Sequence, residues 1–482
     1  MTLLQGGISV AKTLTQAESR AARRRMMLED PVAKVIPILA IPMIISMLVD
    51  SLYSIADTYF VSQLGKAATA AVGVNDSMSH FIRSVAMGFG VGASSYMSRL
   101  LGAKQDEEAC RVGVTTLFTS AITLAVLAAF AYIFTDPLVD LLGATATSKP
   151  YAMDYARFIL FSAPFTAAEV ALSHILRSEG STKYSMIGMC SGCVVNVALD
   201  PLFINVLGME VAGAALATSI SKMVSFFVLL WPFLRKKTML EIRFRYFTPK
   251  WSIYKEIARM GTPTFLRASV MSVATVITNN IAGSFSDSAL AAVSVANKCT
   301  RLVSSGIMGF GQGFQPLAGY CWGAKHYRRV RRSFWVSVLI GSVLAALVGG
   351  VMAIFAPQLV AVFAAEDADI VSIGTLMIRS QCFTMLAHIW IMLITCLFQA
   401  LGRALSSAVL SLSRQVLCLI PCVVILSKIF GVNGLAVSQA TADLMGLIIS
   451  AVLLLRFFRE LNRLIAETPE PVEQGHEENG DV

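Results

Sequence analysis

Apolar runs of twenty or more residues, separated by short polar segments, recur along almost the whole chain. A run of that length crosses the hydrocarbon of a bilayer as a helix, because a helix satisfies its backbone hydrogen bonds internally. The pattern predicts twelve spans, at 34–62, 67–97, 109–133, 151–176, 184–206, 211–234, 256–283, 289–319, 332–355, 371–400, 405–430 and 434–458. The longest and most basic connection, RKKTMLEIRFRYFTPKWSIYK at 235–255, divides them into two sets of six. The expected plan is an N-terminal segment 1–33, a six-helix bundle 34–234, a linker 235–255, a second bundle 256–458 and a tail 459–482. That tail is acidic and polar and reads as disordered.

Composition agrees with the pattern. Hydrophobic residues make up 56% and charged residues 14%, against about a quarter charged in soluble domains. The fold class expected is an all-α polytopic membrane protein. With odd-numbered spans running outward, 28 of the 39 Lys and Arg fall on the side of both termini, 3 on the other side and 8 inside spans. Positive charge is retained on the cytoplasmic side, so a multi-pass protein of the cell membrane with both termini cytoplasmic is expected. The first thirty residues bear arginine and lack a signal-peptide core, so no removable signal is expected. Of nine cysteines, all but Cys110 and Cys321 sit in apolar runs. The Cys190–Cys193 pair has no second pair to complete a metal site, so these thiols read as packing residues.

The two sets of six repeat. Adding 221 to a residue number carries Pro42 to Pro263, Met87-Gly88-Phe89-Gly90 to Met308-Gly309-Phe310-Gly311, Gly92 to Gly313 and Gly102-Ala103-Lys104 to Gly323-Ala324-Lys325. Six spans per copy is an even number, so the copies insert with the same orientation as parallel repeats. In transporters built this way the substrate site lies between the halves. The glycine runs lie mid-helix and suit close packing rather than phosphate binding, and the chain contains no Walker motif. A built-in ATPase is therefore not expected, nor any catalytic centre or nucleic-acid partner.

Span 1 carries two carboxylates, Asp50 and Asp57, two helical turns apart on one face. An acid at that depth is costly unless paired, protonated or facing water, which marks it as functional. Asp57 lies about five residues from the outer end of its span, Asp200 about six, and Thr218 about seven, with Asn196 one turn from Asp200. Two carboxylates, an amide and a hydroxyl supply hard oxygen ligands for Na⁺, or a pair able to carry a proton. Tyr53, one turn from Asp57, can hydrogen-bond either form. The 221 offset carries Asp57 to Thr278, Asp200 to Cys422 and Thr218 to Gln439, with Asn196 falling near Cys418. Ion coupling is therefore expected in the N-terminal half alone. Pro42 removes a backbone hydrogen bond below the acids and is the expected hinge of span 1.

The stretches PMIISMLVDSLYSIADTYFVSQLG at 42–65, LRSEGSTKY at 176–184, NVALDPLFINVLG at 196–208 and GAALAT at 213–218 resemble the multidrug and toxic compound extrusion (MATE) family. So does the twelve-span double repeat, and the similarity covers about 30–460, nearest the bacterial and archaeal branches. The resemblance implies a V-shaped pair of six-helix bundles. It also implies antiport, in which entry of H⁺ or Na⁺ drives efflux of amphipathic organic compounds by alternating access. It places the cation site on Asp57, Asn196, Asp200 and Thr218. Family members often carry asparagines on span 4, where this chain has Glu169, Val170, Ser173 and His174.

The bases inside spans bear on the cargo. Arg83, Lys298 and Arg301 lie too deep to reach the surface easily, and the offset carries Ser77 and His80 onto Lys298 and Arg301. His80, Arg83, Arg267, Lys298 and Arg301, with Asp50 and further Arg414 and Asp443, are expected to line the central cavity. A basic cavity would favour anionic or zwitterionic cargo. It would equally suit a flippase for an anionic, polyprenyl-linked lipid, which stands as the alternative. Small amphipathic compounds and membrane lipids are the expected partners, no cofactor beyond the coupling ion is called for, and a monomer suffices because one chain supplies both halves.

Overall fold

The structure is a computed structural model that describes residues 16–364 and 367–467, and among the described residues it contains helices and no strands. A short helix, Gln16–Leu28, precedes the spans. Spans 1 to 4 are Val32–Ser62, Lys66–Gly102, Asp106–Ile133 and Lys149–Ser178. Span 5 is Thr182–Pro201, continued by a π-helical turn Leu202–Val206, and span 6 is Glu210–Leu234. Spans 7 to 9 are Trp251–Phe285, Asp287–Gly323 and Tyr327–Ile354. Span 10 is a pair, Ala368–Phe383 and Met385–Ala400, bent by 52°. Span 11 begins as Ala404–Leu412, passes through a π-helical stretch Ser413–Leu419, and runs into the long helix Ile420–Glu467. Gly431, at φ 60°, breaks that helix and separates span 11 from span 12.

Span 12 outlasts the boundary expected at 458. Leu454, Phe457 and Leu461 are buried at helical spacing, and Phe457 packs on Trp322 and Phe398. This apolar stripe extends the helix to Glu467, so the first part of the expected tail is ordered. Residues 468–482 of that tail lie outside the described residues.

Span 1 runs through Pro37 and Pro42 without a break. Proline at 42 leaves the Ile38 carbonyl without its helical donor, and the Thr182 hydroxyl from span 5 donates to it at 3.4 Å. A neighbouring span thus covers the gap.

The two halves meet along spans 1 and 8 and along spans 2 and 7. Their close contacts crowd into the end nearer the chain termini. There a Cβ on Gly261 would lie 2.3 Å from the Gly88 carbonyl oxygen, and one on Gly313 would lie 2.4 Å from Ala40 Cα. The carbonyls of Arg99 and Tyr320 approach Gly323 and Gly102 so closely that neither position can hold a side chain. Arg99 also pairs with Glu256 across the seam at 2.8 Å, and Arg177 donates to Gln312. The Ser51 and Ser305 hydroxyls, 2.6 Å apart, mark how far this seam reaches. Beyond them Asp76, Ser77, His80, Asn297, Lys298 and Arg301 are exposed on spans 2 and 8. Polar groups at membrane depth face water, so a cleft separates the halves on the side away from the termini. Among the described residues seven helices are long and apolar enough to cross alone, the bent span 10 makes an eighth, and spans 2, 7 and 8 are not among them. Their deficit is the polar cleft wall.

Helix Gln16–Leu28 lies across the closed end and touches both halves. Arg23 meets Glu179 at 2.5 Å, Arg24 meets Asp106 at 2.9 Å and donates to the Tyr320 hydroxyl, and Arg329 donates to the Met27 carbonyl at 2.9 Å. Arg20 donates to the Met239 carbonyl in the linker. Glu179 in turn accepts from the backbone N–H of Met239 and Leu240.

Candidate functional site

The N-terminal half holds a polar cluster walled by spans 1, 5 and 6. Asp200 and Asn196 are fully buried on span 5, one turn apart. With its amide oriented so that donors face acceptors, Asn196 donates to Asp200 Oδ2 at 2.9 Å and accepts from the Thr218 hydroxyl at 3.3 Å and the Thr218 N–H at 3.2 Å. Tyr53 reaches Thr218 from span 1, where the sequence suggested a bond to Asp57. Asp57 lies close enough to Asp200 for the two carboxylates to repel, and Asp76 on span 2 adds a third negative group beside Asp57. Asp57 Oδ1 and Asp200 Oδ1 are both buried with no hydrogen-bond partner among the described residues. No base sits on either one. The π-helical turn that follows Asp200-Pro201 is a local widening of the kind found where a helix is shaped around a site.

A small cavity continues from this cluster toward the closed end, lined by Asp50, Tyr53, Glu169, Cys193, Asn196 and Lys222. Two ion pairs border it. Arg83 holds Asp50 through two contacts, of 2.8 and 3.4 Å, and Lys222 holds Glu169 at 3.2 Å. Arg83 still leaves 44% of its side chain open, so it is both paired and on the cleft wall. The Glu169–Lys222 pair escaped the sequence reading. Its signal was present: Lys222 is one turn from Thr218 on the same face of span 6. It fills the place on span 4 where the family pattern has asparagines.

The C-terminal half lacks the acids. Thr278 turns its hydroxyl back to its own helix, and the Cys422 thiol faces Met445. Its polar interior is instead Arg414, bonded to Asp443 at 2.7 Å, with His388 at 3.3 Å from Arg414 and Gln439 reaching Asp443 at 3.5 Å. The expectation that Asp443 lines the central cavity is corrected here. Asp443 is 3% exposed and is held among spans 10, 11 and 12 by Arg414, which neutralises it and stays partly open itself. Arg267 is half-buried beside Arg414, and His80, Lys298 and Arg301 are exposed on the cleft.

The MatE family model matches the chain twice, over residues 42–202 and 263–425, with starts 221 residues apart. The chain belongs to the MatE family. Among its relatives is the multidrug export protein MepA of Staphylococcus haemolyticus, 26% identical over 417 residues that cover 86% of this chain and 91% of that one. MepA of Staphylococcus aureus strain MSSA476 is 25% identical over 446 residues, covering 92% and 98%. The solved outward-facing conformation of a multidrug resistance MATE family transporter superposes with a TM-score of 0.86 at 28% identity, covering 92% of this chain and 98% of that one. The chain is accordingly a multi-pass membrane transporter of the MATE multidrug efflux family, built as two six-helix repeats, and not an enzyme.

Proposed function

We propose that this MATE protein exports amphipathic organic compounds in exchange for inward H⁺ or Na⁺, by alternating access, with both termini in the cytoplasm. On that orientation the cleft described above opens outward. The coupling cation binds in the N-terminal half at Asp57, Asn196, Asp200 and Thr218, with Tyr53 closing the site from span 1. One observation carries the reading: two neighbouring carboxylates, half-buried Asp57 and buried Asp200, each have one buried oxygen without a partner and no base among the described residues. Such a pair is stable when a cation or proton neutralises it. The residues also fit the ion chemically, since all four donors are oxygen.

The cycle follows from charge and packing. Neutralising Asp57 and Asp200 removes their repulsion and lets span 1 move toward spans 5 and 6. Pro42 is where that helix can bend, because it already lacks one hydrogen bond. Movement of span 1 narrows the cleft and expels cargo, and the cation leaves inward once the Gly88–Gly261 and Gly313–Ala40 seam opens. The working unit is a monomer surrounded by lipid, with no cofactor besides the ion.

The test is dye efflux from proteoliposomes under separately imposed H⁺ and Na⁺ gradients, with Asp57→Asn alongside. One gradient should drive efflux, and the variant should abolish it. Efflux indifferent to both gradients and to the variant defeats the antiport reading. The second reading, a flippase for an anionic polyprenyl-linked lipid, draws on the basic residues of the cleft and predicts lipid scrambling without a gradient.

A further inference from the structure

The ion pairs sort the charges inside the spans into those that are answered and those that are not. In the N-terminal half Asp50 is taken by Arg83 and Glu169 by Lys222. Asp57 and Asp200 remain, each with a buried oxygen that has no partner among the described residues, and Asp76 has His80 and Arg301 within electrostatic reach without a direct ion pair. In the C-terminal half Asp443 is taken by Arg414. Arg267, Lys298 and Arg301 remain, each with no carboxylate in salt-bridge range among the described residues. Of these, Asp76 is exposed on one wall of the cleft and Lys298 and Arg301 on the other, while Asp57 and Asp200 belong to the cluster inside the N-terminal half and Arg267 is half-buried.

The bases stand where cargo would rest. Ser305, in contact with Ser51, closes the cleft floor, and Arg301 is one turn above it on span 8. Arg301 faces the opposite wall within electrostatic reach of Asp50, Asp76 and His80. Lys298 is three residues further out on the same face, and both are exposed. Arg267 approaches from span 7 beside Arg414, whose charge is already committed to Asp443. A guanidinium held next to a second guanidinium, with the local acid already used, favours an incoming anion.

We propose that this wall receives the cargo by an anionic group, a carboxylate, sulfonate or phosphate carried on an apolar body, with Lys298 and Arg301 making contact and Arg267 adding to the field. The inference rests on the transporter reading and names its substrate class. The two halves then divide the work: acids of the first take the coupling cation, bases of the second take the cargo. A cationic compound meets repulsion at Lys298 and Arg301.

The experiment has two readouts on the same purified protein, fluorescence titration for binding and gradient-driven efflux from liposomes. The probes are 1-anilinonaphthalene-8-sulfonate and ethidium. The wild type should bind and export the sulfonate in preference to ethidium. Lys298→Gln with Arg301→Gln should weaken sulfonate binding by about tenfold or more, and Arg301→Glu should shift the preference toward ethidium. Sulfonate affinity unchanged in the double variant overturns the proposal, as does equal or preferred export of ethidium by the wild type. If binding follows the charges while no gradient moves either probe, the anion site stands and the exporter reading falls. Scrambling of labelled phosphatidylglycerol that the double variant blocks would identify the anionic group as a lipid headgroup.

Discussion

Asp57, proposed to bind the cation, and Lys222 beside that cluster differ in how they tolerate loss, and the difference is measurable. Asp57 has no base as partner, so Asp57→Asn should end coupled transport while leaving the unfolding free energy within about 1 kcal/mol of wild type. Lys222→Ala should do the reverse of this in stability. It strands Glu169, whose side chain is only 7% exposed, and should cost about 3–5 kcal/mol in thermal or denaturant unfolding. Depth along each span was enough to group Asp57, Asn196, Asp200 and Thr218 from the sequence, because a helix rises by a fixed amount per residue. Depth did not tell which charge answers which. Arg414 and Asp443 lie at plausible cavity depths, yet they face each other inside one half, a matter of helix rotation that the apolar pattern does not encode.

Spans 1, 2, 7 and 8 carry the contact between halves, and their spacing is set by small residues. Gly261→Val puts methyl groups into the Gly88 backbone and should destabilise the protein by about 1–3 kcal/mol, read by thermal unfolding. Ser51→Cys with Ser305→Cys joins spans 1 and 8 at the cleft floor. Oxidation of that pair should halt efflux and a reductant should restore it; unaffected efflux would show that these spans need not separate there during turnover. The glycines were visible in the sequence as a repeated run, and their neighbours across the seam become clear only when the copies are docked. The end of span 12 was misplaced because its last turns are rich in charge, while the stripe Leu454, Phe457, Leu461 that extends them was already in the pattern.

At the scale of the whole molecule, Glu179 ties helix Gln16–Leu28 and the linker to the N-terminal half, and the same helix reaches the C-terminal half through Tyr320 and Arg329. Burial pushes the Glu179 carboxyl above its ordinary range, against the pull of Arg23, Ser181 and the backbone donors of Leu240 and Met239. The folded protein therefore takes up this proton at a higher pH than the unfolded chain does, so acidification does not weaken the fold through Glu179. It does discharge the Arg23 contact. Limited proteolysis at Arg25 should consequently speed up on acidification as the carboxyl takes up its proton, before any drop in unfolding temperature, and Glu179→Gln should cut at one rate throughout. The double repeat and the membrane class were legible from periodicity and the 221 offset. The bracing role of the first helix was not, since its arginines look like ordinary positive-inside charge and only Met26, Met27 and Leu28 at its end hint at packing.

The second copy kept the glycines that hold it against the first and lost every acid of the cation site. On the division of roles proposed above, Arg267, Lys298 and Arg301 can change to suit a new compound while the acids of the first half stay as they are, so a lineage under changing chemical exposure can diversify in one half and inherit the other intact.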